Sequence, residues 1–376
     1  LNAHCKTPQL ELLEVCRRAL ITLTSLQGQT FNNESGEEPG KFIHEFRRQG
    51  FDHLISLEKP WYIYPDGYLK NYDSIDSTPL ALIALHRYWQ ITQDNEFLLN
   101  VLPTVELAIN WIITYGDIDK DQLIEYDTIE ARTHGGLVVQ SWTDSHQSLR
   151  QANGLMPKYP IAPVEAQAYA WLALKLWGEF YLQQSPSFGQ KIISFANKLK
   201  SQFNQNFMHF DGQGYFPVQA LDGDKNPIFT VTGNSLLPLW ATYFENGKPE
   251  SIIEDQYIPY IVERSFKSDM FDTTAGIRTM STLSPTFNSG TDSYHNGSFW
   301  PILNGLIHEG LISWGFNHHA ELLKKASLYP VQHFETPIEL YIKSDEGHLT
   351  EFLGNDGQKG CLSQSWSAAA ILDWLS

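Results

Sequence analysis

Hydrophobic positions along the chain recur in long blocks that alternate between two characters. The stretch STPLALIALHRYW is apolar almost all round from Leu80 to Leu85, with Ser77 and Thr78 as capping residues and Pro79 in the first turn. A helix of that kind is buried on several faces. The next block, FLLNVLPTVELAINWII, carries Asn100, Thr104, Glu106 and Asn110 at regular intervals, as a helix with one wet side does. The same order returns in PIAPVEAQAYAWLALKLWGEF, with Ile161, Val164, Ala168, Leu172 and Leu176 at three- and four-residue steps, followed by the amphipathic PSFGQKIISFANKLKSQFNQNF. It recurs in SLLPLWATYF before ESIIEDQYIPYIVERSF, and in GSFWPILNGLIHEGLISWG before NHHAELLKKASLYP. With QLELLEVCRRALITLTSLQ at the start and SQSWSAAAILDWL at the end, the pattern predicts about six inner-and-outer helix pairs. Two concentric helical rings fit this alternation, so the expected fold is an all-α (α/α)6 barrel, read as one domain over residues 1–376.

Between these blocks lie long segments, 27–70, 116–160, 210–233, 269–294 and 337–360. Loops of that length usually carry function or sheet structure of their own. In a double ring they gather at one mouth and form a pocket there. Composition narrows what such a pocket takes. A formal charge of -17, with 43 acidic and 26 basic residues, supplies no basic stripe for nucleic acid or an anionic membrane. The 11 tryptophans and 13% aromatic content suit both helical cores and the stacking walls of sugar sites. Cys5, Cys16 and Cys361 have no zinc-type spacing and read as small buried hydrophobes and reduced thiols, which leads to the expectation of a cytoplasmic protein. No spanning run and no leader peptide is expected.

Most chemical motifs are missing. There is no GxSxG, phosphate-binding loop, dinucleotide fingerprint or HExxH. Asp117, Asp119 and Asp121 alternate as in a calcium loop, but Gln122 stands in place of the glycine turn and Thr128 in place of the bidentate glutamate, so an acidic turn is expected and no metal or cofactor is assigned. What remains are carboxylates in aromatic loops. Asp144 follows Trp142 by two residues in QSWTDSHQSL, and a carboxyl shielded by an indole suits a general acid as well as a loop cap. In GKFIHEFR, His44, Glu45 and Arg47 form either a salt-bridged clasp or a set of sugar-hydroxyl ligands. Asp76 precedes a buried helix, Arg278 follows a glycine in GIRTM, and Glu351 sits on a glycine-rich segment ahead of the last helix.

In order, PGKFIHEFR, YDSIDSTPLAL, LIEY, SWTDS, PIAPVEAQAYAWLAL, AGIRTMS, YHNGSFWP and GHLTEFLGNDGQKGCLSQSWSAAAIL resemble the glycogen-debranching amylo-α-1,6-glucosidase family and its (α/α)6-barrel relatives, over about Gly40 to Leu372. The resemblance implies an inverting glycoside hydrolase that cleaves a terminal α-linked glucose, with Asp144 as general acid and Glu351 as general base. Inverting hydrolysis places two carboxyls roughly 6.5–9.5 Å apart with a water between base and sugar. Glu339, in TPIELY, resembles a Pro-Glu-Leu pattern of some relatives and is the second candidate for the base. By the same resemblance His44, Glu45, Arg47, Asp76, Glu165, Gln167, Arg278 and His295 line a sugar pocket, with Trp142, Tyr294 and Trp300 as stacking surfaces. The expected partner is a carbohydrate, either a glucan branch or a small α-glucoside. Two other activities fit the scaffold: a glycoside phosphorylase, which needs a phosphate pocket, and a non-catalytic glycan-binding protein.

Overall fold

The computed structural model describes residues 5, 10–128, 131–344 and 346–376. The chain gathers into two compact units: an N-terminal one of residues up to His146 with Tyr159–Gln202, and a C-terminal one of Gln147–Lys158 with Phe203–Ser376.

In the N-terminal unit the longer helices are α1 (Leu10–Ser25), α2 (Ser77–Thr92), α3 (Asn95–Trp111), α4 (Val164–Gln184) and α5 (Pro186–Asn206). The predicted inner helices are the buried ones. Along α4 nearly every residue from Val164 to Lys175 is buried, and the helix packs on α2, where the Trp177 indole N–H donates to the Leu82 carbonyl at 2.9 Å. By contrast α5 buries a stripe of Ile192, Phe195, Ala196, Leu199 and Phe203 and leaves the rest wet, as its period requires. α3 is capped by Asp94, which accepts from the Phe97 N–H, and exposes Asn100, Glu106 and Asn110. The run Asn95–Gly116 is long and apolar enough to cross a membrane by composition, but Phe97, Val101, Val105, Ala108 and Ile109 turn its apolar side into the core.

The start of α2 departs from the expected cap. Ser77 and Thr78 lie inside the helix, and Asp76 occupies the cap position without a side-chain bond to the helix. The two hydroxyl groups hold Phe42 instead: the Phe42 N–H donates to Thr78 Oγ1 at 2.9 Å, and Ser77 Oγ donates to the Phe42 carbonyl at 3.1 Å. Phe42 is itself buried, so the segment that carries His44 is pinned to the helix start. Directly after His44, Glu45–Arg47 pairs with Leu69–Asn71 in an antiparallel ladder.

The predicted acidic turn is present. Asp117 Oδ1 accepts from Gln122 N–H and Asp121 Oδ1 from Leu123 N–H, while the Lys120 ammonium donates to the Asp117 carbonyl. The three carboxyl groups lie within 4.8 Å of one another and serve the turn that leads into Leu123–Tyr126.

In the C-terminal unit the longer helices are α6 (Ile258–Ser265), α7 (Pro301–Ser313), α8 (Asn317–Phe334) and α9 (Ser365–Leu375). α7 is central and packs on Leu237–Trp240, α8 and α9. Two glycines permit that closeness: a Cβ on Gly305 would lie 2.7 Å from Ala370 Cβ, and one on Gly310 would lie 2.7 Å from the Trp240 nitrogen. Two predicted helices are shorter than expected. SLLPLWATYF is helical only at Leu237–Trp240 and then becomes a strand, Tyr243–Glu245, paired with Lys248–Glu250. The turn between them is Asn246-Gly247, both at positive φ, which is the signature of a tight hairpin and overrides the apolar run before it. About half of the second segment lies outside α6: Glu250 ends the hairpin, and Asp255–Tyr257 form a single 3-10 turn before the helix. The 337–360 segment also has sheet structure, a hairpin of Tyr341–Lys343 with Leu349–Glu351.

Candidate active site

The N-terminal unit brings three of the expected residues together. His44 Nε2 lies 3.5 Å from Asp144 Oδ2, with the two side chains 24% and 29% exposed, so the pair is sheltered yet reachable. Asp76 lies beside them, buried, accepting from the Ser74 hydroxyl. Burial opposes a charge on His44, but the hydrogen bond and charge of Asp144, with Asp76 and Glu45, outweigh it and raise the imidazole above the ordinary histidine pKa. Burial likewise pushes Asp76 up, although Ser74 and His44 pull it back. The His44 backbone N–H donates to the Asn71 carbonyl at 2.9 Å, so the ladder and the clamp on Phe42 both orient the ring. Trp142 is half-buried two residues before Asp144.

Other expected ligands of this unit have different duties. The Arg47 guanidinium is bonded to Glu45 on the same face of the strand, and also to the Gly50 carbonyl, which is the clasp reading of GKFIHEFR. Gln167 is fully buried: its Oε1 accepts from Ile124 N–H, and its Nε2 donates to the carbonyls of Ile124 and Pro163. With no exposed atom and both ends of its amide engaged with backbone, Gln167 is a structural tie and not a sugar ligand. Glu165 is buried in the first turn of α4, facing Tyr169, whose phenol burial holds well above the usual tyrosine range with Glu165 and Asp76 adding to the effect.

In the C-terminal unit, Tyr294, His295 and Trp300 do come together. His295 stacks on Trp300 at 4.8 Å between ring centres, and Tyr294 meets Trp300 edge-on at 5.0 Å. The Trp300 indole N–H donates to the Tyr294 carbonyl at 2.9 Å, and Trp300 is only 1% exposed, so it has no free face for a sugar and serves as the floor of the cluster. The exposed indole is that of Trp366, 40% exposed and 6.1 Å from Trp300. The sequence does not single out Trp366 although it lies inside the quoted SQSWS, because nothing local tells a core tryptophan from an open one. Arg278 lies over the Phe299 ring at 4.6 Å and near Phe287.

The two glutamates differ sharply. Glu351 ends a hairpin strand opposite Tyr341 with an exposed side chain. Glu339 is buried. Its Oε1 accepts from the Tyr294 hydroxyl at 2.9 Å and its Oε2 from the Cys361 N–H at 2.7 Å, while its own N–H donates to the Cys361 carbonyl. Glu339 is thus held by two donors through its side chain, whereas Glu351 is open to solvent. Of the cysteines expected to be buried, Cys5 and Cys361 are exposed and Cys16 is half-buried; all three are free, and Cys361 meets Glu339 through its backbone.

Comparison with known proteins places these residues in context. The amylo-alpha-1,6-glucosidase family matches residues 17–373. No curated protein sequence matches the chain. Among solved structures, the GH63 mannosylglycerate hydrolase of Thermus thermophilus in complex with glucose is similar over 100% of this chain and 90% of its own, at a TM-score of 0.64 and 16% identity. The same hydrolase with Tris is similar at a TM-score of 0.61 and 15% identity, over 100% and 91% of the two chains. The fold is thus the expected all-α one, shared with helical-barrel glycoside hydrolases. With a match across nearly its whole length, the chain belongs to the amylo-alpha-1,6-glucosidase family of glycoside hydrolases.

Proposed function

We propose that the protein is an inverting glycoside hydrolase that releases a terminal α-linked glucose, with Asp144 as general acid and Glu339, in place of Glu351, as general base. The observation that carries this reading is the contact of Asp144 with His44. A general acid must begin each turnover protonated, and a histidine whose pKa is raised is a local proton store at neutral pH. In the Asp144–His44 pair the proton-holding imidazole stands beside the carboxyl. As the glycosidic oxygen gains negative charge, Asp144 delivers the proton to it, and the imidazole and its neighbours determine how readily the pair is recharged from water.

Glu339 suits the other task. The Tyr294 hydroxyl and the Cys361 N–H hold both carboxylate oxygens in place, so a water hydrogen-bonded to the carboxylate is met by a base whose position does not fluctuate. The water loses its proton to Glu339 as its oxygen bonds to the anomeric carbon, and the bond to the leaving oxygen breaks as that oxygen takes up a proton. Trp366 and Tyr294 offer apolar faces on which a sugar ring rests.

The test is proton NMR of the products released from isomaltose, maltose, trehalose, a branched glucan and mannosylglycerate, at about pH 6 and without phosphate. First appearance of β-glucose from an α-glucoside is the expected result. First appearance of α-glucose would refute inversion, and release of mannose alone would refute the glucose assignment.

A further inference from the structure

Apart from the catalytic candidates, the N-terminal unit contains a cavity of about 440 Å³, within the roughly 300–1,000 Å³ of small-molecule sites. Trp61, Lys59, His134, Gln140 and the glycine pair Gly135-Gly136 are among its walls, and Asp144, His44, Asp76 and Trp142 are not. Its form is built in. Trp61 and Gly135 pair as a β-bridge, and the Gly135 N–H donates to the Pro60 carbonyl at 2.9 Å. A Cβ on Gly135 would lie 2.4 Å from the Lys59 carbonyl and 2.9 Å from the indole of Trp61, so only glycine allows the two segments to close on each other here. A Cβ on Gly136 would strike the guanidinium of Arg132 at 1.8 Å, so the second glycine makes room for the ion pair behind the wall.

The charges show what kind of ligand fits. Arg132 faces the cavity but is spent: it binds Asp73 through two bonds of 2.7 and 2.8 Å and donates Nε to the Asn33 carbonyl at 2.7 Å. His134 Nδ1 is held by Glu34 at 2.8 Å, which leaves Nε2. Lys59 is exposed and stands next to Glu58, also on the wall. Arg132 is thus already compensated by Asp73, and the acidic Glu58 on the same wall disfavours an anion. A neutral polyol, however, meets separate donors and acceptors: the Lys59 ammonium, His134 Nε2, the indole N–H of Trp61 and Gln140 Oε1, with the apolar face of Trp61 beside them.

We propose that this pocket is a second carbohydrate site, taking one neutral hexose unit against Trp61. It requires that the protein's partner be a carbohydrate, as its family implies, and does not depend on Asp144 as acid. The site holds a further unit of a longer glycan or a free sugar, and its function is attachment, not bond cleavage.

The experiment is a calorimetric titration of the Asp144→Asn protein, which removes turnover, with glucose, mannose, maltotriose and isomaltotriose, repeated in the background of Trp61→Ala. We expect at least one sugar to bind with a component that weakens tenfold or more in the double variant. Should Trp61→Ala not fold, Lys59→Ala, at an exposed position, is expected to weaken the same component two- to fivefold. Binding unchanged in these variants, or no binding by any of the four sugars, overturns the proposal. So does displacement of that component by inorganic phosphate at equal concentration, which would make the pocket an anion site. None of these results alters the product test for hydrolysis, so the two readings fail separately.

Discussion

Asp144 in the N-terminal unit and Glu339 in the C-terminal unit are both carboxylates on long segments between helices, yet their surroundings are unlike. Asp144 is partly open and shares its position with a titrating base, His44, under the charge of Asp76. Glu339 is buried and meets only fixed donors, one phenol and one backbone N–H. A neighbour that titrates near neutrality makes a group a relay for protons, whereas neighbours that do not titrate make it a fixture with a defined direction. That contrast is the ground on which we propose the acid at the first and the base at the second. It also explains why Glu351, exposed at the end of a strand, has neither attribute.

The contrast breaks most severely at the carboxylates. Asp144→Asn and Glu339→Gln are each expected to lower kcat about 10²- to 10⁴-fold on whichever glycoside the product test identifies, the usual worth of general acid–base catalysis. Melting temperatures close to the parent's would separate lost chemistry from lost folding. Replacement of Gln167 with Leu is expected to act the other way. It strips the Ile124 N–H and two carbonyls of their partners and costs about 2–4 kcal/mol of stability. Denaturant unfolding would show the loss, and KM would stay within about twofold because no sugar contact is removed.

A gentler change sharpens the comparison. His44→Gln removes the raised histidine from the pair, so the alkaline limb of kcat/KM moves to lower pH. The direction follows from the shift: a group that holds its proton above the usual histidine range extends activity toward higher pH, and its removal shortens that range. The pH–rate profile of the variant is the measurement, and an unmoved alkaline limb would remove His44 from the mechanism. The smallest effect is expected at Glu351→Gln, with kcat within about twofold of the parent, since an exposed carboxylate with no held orientation contributes little. A loss comparable to that of Glu339→Gln would return the base to Glu351.

Much of the helical framework is legible from periodicity alone. α2 and α4 are apolar around their circumference and α3 and α5 on one side, and burial follows that division because the hydrophobic gain is proportional to the apolar area hidden. Periodicity fails where a two-residue turn outweighs an apolar run, at Asn246-Gly247, since backbone geometry there is set by two residues and not by the average of ten. Capping residues mislead for a related reason. Ser77 and Thr78 have the chemistry of a helix cap, but Phe42 competes for the same hydroxyls.

The sequence by itself determined the alternation of buried and half-buried helices, the acidic turn at Asp117, the clustering of His44 and Glu45 with Arg47, and the family to which the order of motifs points. The tertiary structure decided which carboxylates and aromatics are equipped for chemistry. Glu339 meets its two donors from positions 45 and 22 residues away, at Tyr294 and Cys361, and His44 meets Asp144 from 100 residues away. Gln167 and Trp300 resemble ligands in the one-dimensional text but are enclosed by distant neighbours, while Trp366 is left open. Exposure and hydrogen-bond partnership are properties of the packed chain, and no local pattern encodes them because the groups that supply them are brought together only by folding.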